Sequence, residues 1–162
     1  TALRAIERAP GRFVGQVLVG AAWGRSAPGA ADPLVAGLQR DYPGTLRWFI
    51  DNCCPETDSV ALRHWALQMM MRSRVEDAVA LLRSREQIAP ADATPGHALP
   101  ALLVHGDQDR IVPVQSSRDL AALLPRAELH ILPGLGHVPL CTEPAAVADL
   151  IDDFAGRMAL AA

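Results

Sequence analysis

Two carboxylates and one histidine carry most of the chemistry this sequence can do. Asp107 and Asp109 fall within Pro100 to Pro113, PALLVHGDQDRIVP, and His137 closes the run Gly134-Leu135-Gly136-His137. Each motif follows a short apolar run, Ala101 to Val104 and Leu129 to Leu132. Runs of that length and bulk suit buried parallel strands, and the Gly and Pro residues that end them are turn formers. An acid at one strand end and a histidine at the next can place a carboxylate against an imidazole. The carboxylate then holds the ring in the tautomer a general base needs. The two residues are 28 positions apart, room for one crossover helix and one strand. Of the two carboxylates, Asp107 reads as the turn-capping one.

Composition narrows the classes. With 162 residues, half of them hydrophobic, the chain can build a real core as one domain, with or without a modest insertion. A net charge of −3 and a pI near 5.9 give no footprint for nucleic acid or for an anionic membrane surface. All 15 basic residues are Arg, which excludes a Schiff-base lysine, a phosphate-loop lysine and a Ser-Lys pair within this chain. Cys53, Cys54 and Cys141 match no metal-ligand spacing and read as reduced thiols of a cytoplasmic protein. No apolar run approaches the length of a membrane span. The first residues lack an initiator Met and a signal-peptide apolar block, so the chain is expected to begin inside something longer.

Three stretches must position the motifs. Residues 1–24 read as a helix over Thr1 to Ala9, ended by Pro10-Gly11, and a short buried strand from Phe13 to Gly20. Residues 25–99 change texture to short helical patterns with no strand. Their stripes are Leu46, Phe49 and Ile50; then Val60, His64, Leu67 and Met71; then Val75, Val79 and Leu82. Pro90 to Pro100 is a loop that returns the chain to the strand at Ala101. In residues 100–162, Ser116 or Ser117 is expected to cap a helix through Leu124. Thr142 is expected to cap a last helix with Val147, Leu150, Ile151 and Phe154 as its buried stripe. Strand, helix, strand, helix with buried strands is an α/β pattern.

On these motifs the chain resembles the α/β-hydrolase fold family. GDQDRIVP followed by GLGHVP resembles its C-terminal half, where the acid follows the penultimate strand and the histidine the last. TALRAIERAPGRFVGQVLVG looks like the helix behind the family's nucleophile and the next strand. The resemblance implies an α/β fold: part of a parallel sheet, about three strands with flanking helices, plus an all-helical cap over residues 25–99. It implies Asp109 as acid and His137 as general base, with no metal and no cofactor. Trp23, Trp48, Met70 and Val138 are the candidate contacts to a small, largely apolar substrate.

The chain departs from the family pattern in having no G-x-S-x-G nucleophile turn. An esterase-like acyl hydrolase is therefore expected to be inactive as this chain alone. The alternative is a non-catalytic hydrolase-like module, self-associating or pairing through its exposed sheet edge with a chain that supplies the missing strands. Among subfamilies, epoxide hydrolases use two cap tyrosines, whereas Tyr42 is the sole tyrosine here. Carbon–carbon bond hydrolases often place an aromatic residue after the histidine, where this chain has Val138. His97, His105 and His130 show no metal-ligand spacing and read as structural or exposed. His64 and the Met69-Met70-Met71 run read first as packing or surface residues.

Overall fold

The computed structural model describes residues 5–6, 8–23, 32–86 and 99–160. The junction expected near residue 24, the first four residues and Glu7 of the expected N-terminal helix, Ser26, His97 and most of the Pro90–Pro100 loop lie outside them.

Three parallel strands form one sheet in the order β1 (Gln16–Val19), β2 (Ala101–Gly106), β3 (Ala127–Leu132). Gln16 lies opposite Ala101, and Ala101 opposite Ala127. All six residues of β2 are buried, because the strand is central and covered on both faces. The alternation of side chains then sorts them. Ala101 and Leu103 pack with Leu120 and Leu124 of α5 (Val114–Leu123) and the residue after it. Leu102 and Val104 pack with Val147 and Phe154 of α7 (Pro144–Leu160). By the same parity His105 belongs to the α5 face.

The described residues between β1 and β2 hold four helices joined by turns and no strand: α1 (Asp32–Arg40), α2 (Tyr42–Cys53), α3 (Val60–Met70) and α4 (Val75–Glu86). It has a core of its own in Val35, Leu38, Leu46 and Val79. Asp41 caps α2 by accepting from Gly44 N–H at 3.0 Å, with proline in the first turn.

Several local expectations shift. Strand β1 is shorter than Phe13 to Gly20, because its ladder begins only where its partner does, with Gln16 N–H donating to Pro100 O at 3.0 Å. Val14, ahead of that point, is 75% exposed. Of the stripe Val60, His64, Leu67, Met71 one residue in four packs inward: Val60, His64 and Met71 are exposed, and α3 seats Leu67 together with Met70. Apolar residues surround α3, so spacing alone did not choose its buried side. Neither Ser116 nor Ser117 caps α5, which begins at Val114 directly after Pro113. Thr142 belongs to a one-turn helix α6 (Pro139–Thr142) and its hydroxyl lies 3.5 Å from Val138 O, while α7 opens at Pro144. The stripe expected on α7 is the buried one, with Val147 and Phe154 deepest.

Truncating Leu103, fully enclosed in β2, to Ala should cost about 2–5 kcal/mol in a urea titration. Leu81→Ala, on an exposed face of α4, should stay within about 0.5 kcal/mol.

Candidate active site

The turn after β2 is tied by its own acid. Asp109 Oδ1 accepts from Ile111 N–H and Val112 N–H, both at 2.8 Å, which locks the carboxylate against its own backbone. Asp107 does the turn work expected of it, but across two loops: its Oδ1 accepts from Gly134 N–H at 2.7 Å. Gln108 N–H donates to Leu135 O at 2.9 Å, so the acid turn and the histidine loop are stitched twice. A side chain at Gly106 would run into the backbone of Leu135 and Gly136, so the loops can approach this closely only over a glycine.

His137 thereby reaches Asp109. Its Nδ1 lies 2.8 Å from Asp109 Oδ2; the carboxylate is fully enclosed and the imidazole 24% exposed. Because Oδ2 only accepts, the proton belongs on Nδ1, which leaves Nε2 with its lone pair. No described residue hydrogen-bonds that Nε2. Gly20, at the end of β1 with φ +56°, passes directly beside the ring, and a Cβ there would sit 3.2 Å from Nδ1. Glycine meets both the positive φ and the close approach.

From the helical segment, the turn after α2 holds the histidine loop. His137 N–H donates to Cys53 O at 2.8 Å, and Gly136 N–H to Glu56 Oε1 at 2.7 Å. Arg63 of α3 in turn donates to Cys54 O at 2.8 Å and Glu56 O at 3.1 Å.

Burial alone would push the Asp109 carboxyl up. Hydrogen bonds from His105, His137 and the Val112 and Ile111 amides outweigh it and hold the group well below the usual carboxylate range. For His105, burial pulls down, but the bond to Asp109, the Val112 carbonyl and the Asp109 charge leave it above its ordinary value. The Cys53 thiol is pushed up to about 12 by burial, then by Cys54 and Asp109. Cys54 is pushed up to about 11 by burial first. Neither is a thiolate at neutral pH, so neither supplies a sulfur nucleophile.

Of the other residues singled out by sequence, Val138 adjoins His137 and stands at the N-terminus of α6. Trp23 is partly buried against the Leu103–Leu120 core, its backbone N–H and C=O bonded to Ser116 Oγ. Trp48 is 59% exposed on α2. Met70 packs into the helical core, its carbonyl accepting from Tyr42 OH. The contact that sequence reasoning missed is His105, which lies buried 3.1 Å from Asp109 Oδ2. Its signal was available: a histidine inside an uninterrupted apolar strand must find partners or lose stability. Among the described residues no group of three or more His, Cys, Asp or Glu is placed to hold a metal ion, and no helix is long and apolar enough to cross a membrane.

Two outcomes follow. The folded-state pKa of Asp109 lies below its unfolded value near 3.9. The stability it contributes is therefore complete above that value and is lost as pH falls through the folded pKa. Asp109→Asn should cost about 3–5 kcal/mol at pH 7 and flatten the acid limb of a stability–pH curve below about pH 5. In thiol titration of the native protein at pH 8, Cys141, the exposed one of the three, should react well before Cys53 and Cys54.

Comparison with known proteins finds relatives in sequence and in fold. The pimeloyl-[acyl-carrier protein] methyl ester esterase of Aromatoleum aromaticum is 31% identical over 143 residues, 76% of this chain and 56% of that protein. The 2-hydroxymuconate semialdehyde hydrolase of Pseudomonas sp. (strain CF600) is 41% identical over 59 residues, 35% of this chain and 21% of that protein. A thermophilic esterase from Thermogutta terrifontis superposes with a TM-score of 0.84 at 20% identity, over 97% of this chain and 61% of its own. The chain thus spans little more than half the length of that methyl ester esterase and about three fifths of the solved structure. Residues 49–144, more than half of the chain, match the family model described as the alpha/beta hydrolase fold. With its parallel sheet and the enclosed Asp109–His137 pair, this chain belongs to the α/β-hydrolase fold family.

Proposed function

We propose that this chain supplies the acid–base half of an enzyme that hydrolyses an ester or related acyl bond of a small, largely apolar substrate. Asp109 is the orienting acid and His137 the general base. One observation carries the reading: the 2.8 Å contact between His137 Nδ1 and an enclosed Asp109 carboxylate, which leaves Nε2 free to take a proton. Nε2 would accept the proton of an attacking hydroxyl, the buried carboxylate would stabilise the imidazolium that forms, and the proton would pass on to the leaving alcohol. The methyl ester esterases among the relatives favour ester chemistry.

The nucleophile and oxyanion donors are assigned to residues outside these 162. The sequence holds no G-x-S-x-G. Among the described residues, Ser59, Ser116 and Ser117 spend their hydroxyls on Glu56 O, Ala21 O and the His105 ring. The isolated chain should therefore fail to turn over a short p-nitrophenyl ester. The protein carrying its upstream residues should hydrolyse it, and His137→Ala should lower that rate by about 10⁴-fold or more. An unchanged rate removes His137 from the mechanism.

A second reading rests on the outer edge of β1. Among the described residues β1 pairs with β2 alone, and both polar atoms of the buried Gln16 amide lack a partner. The groove beside it is lined by Val14, Val17, Ile151, Phe154 and Met158. A non-catalytic module that seats another strand there would use those features. Sedimentation separates the two: a lone monomer indifferent to a second chain removes this alternative.

A further inference from the structure

The helix-facing side of β2 holds a polar group where the strand pattern calls for an apolar one. His105 is fully enclosed between the sheet and α5, where an unpartnered imidazole would be costly. Every ring nitrogen has a partner. Nδ1 lies 2.7 Å from Ser117 Oγ. Nε2 lies 2.9 Å from Val112 O and 3.1 Å from Asp109 Oδ2. Both oxygens facing Nε2 are acceptors, so Nε2 bears a proton whether the ring is neutral or charged. In the neutral ring, Nδ1 accepts the Ser117 hydroxyl proton.

The oxygen that His105 faces is the one that holds His137. Asp109 Oδ1 is taken by two backbone amides and Oδ2 by two imidazoles. Three hydrogen bonds, and the Nε2–H of His105 shared between Val112 O and Oδ2, thus enclose the carboxylate. Val112 closes a ring, giving its N–H to Oδ1 and its carbonyl to His105.

We propose that His105 is a positioning residue of the acid–base pair: with Nε2 protonated between two acceptors and Nδ1 met by the Ser117 hydroxyl, it holds Asp109 Oδ2 in line with His137 Nδ1. This rests on the reading of Asp109 and His137 as acid and base. A purely structural histidine would need only the Val112 carbonyl and would leave Asp109 indifferent to its loss.

The test uses the full-length protein, a short p-nitrophenyl ester, and ¹⁵N NMR of the histidine rings. In the unsubstituted protein the His105 signal should show Nε2 protonated; a spectrum with Nε2 unprotonated overturns the proposal without any variant. His105→Leu removes the donor. It should lower kcat about ten- to hundredfold with KM within about twofold, as expected for a lost bond to a charged group. It should also shift the His137 ring toward a mixture of tautomers. His105→Gln, whose amide can place an N–H near the old Nε2, should recover most of that kcat. A folded His105→Leu with kcat within twofold of the parent and an unchanged His137 ring overturns the assignment. Should His105→Leu not fold, His105→Gln and His105→Met, which also lacks the donor, decide. A kcat at least tenfold lower in His105→Met than in His105→Gln supports the role, and equal kcat values sink it. His137→Ala, run alongside, separates the failures. Unchanged turnover there removes the catalytic reading itself, whereas loss there with none in His105→Leu removes only the role of His105.

Discussion

Everything near the site answers to one demand, that a carboxylate taken out of water be surrounded by N–H groups. A buried charge of this kind is tolerated only when nearly every lone pair is met. The donors to Asp109 come from three places: its own turn, the strand before it, and the loop after β3. No one of these elements could supply them. The close approach of the two loops over Gly106, the glycine beside His137 at the end of β1, and the histidine enclosed in β2 all serve that coordination. Once it is complete, the same carboxylate governs which nitrogen of His137 is left bare.

How much of this could be read from the chain depends on whether the signal was local. The strand runs, the buried stripe of α7 and the Asp109–His137 pairing follow from short spacings and turn residues, and these transferred to the structure. Boundaries fared less well, because a parallel strand begins where its neighbour lets it. Phe13 and Val14 are as apolar as the residues after them, yet they have no β2 partner. The orientation of α3 was not legible, since its apolar residues go all the way round and the choice fell to contacts with other helices.

The polar network was the least visible part. Ser116 and Ser117 look like helix caps, and in the fold they spend their hydroxyls across the molecule, on the loop after β1 and on His105. Their position just after Pro113 gives no hint of this, because the partners are remote in sequence. Glu56 and the carbonyl of Cys53 are in the same class: nothing in CCPE marks it as the support of a histidine loop some 80 positions downstream.

That support has a mechanical meaning. The CCPE turn is bonded on one side to the backbone of Gly136 and His137 and gripped on the other by Arg63. The far end of α2 and the imidazole are therefore parts of one rigid joint. If the helical layer swings, its pivot must fall elsewhere, and slack introduced at this corner would reach the His137 ring before it disturbed the sheet.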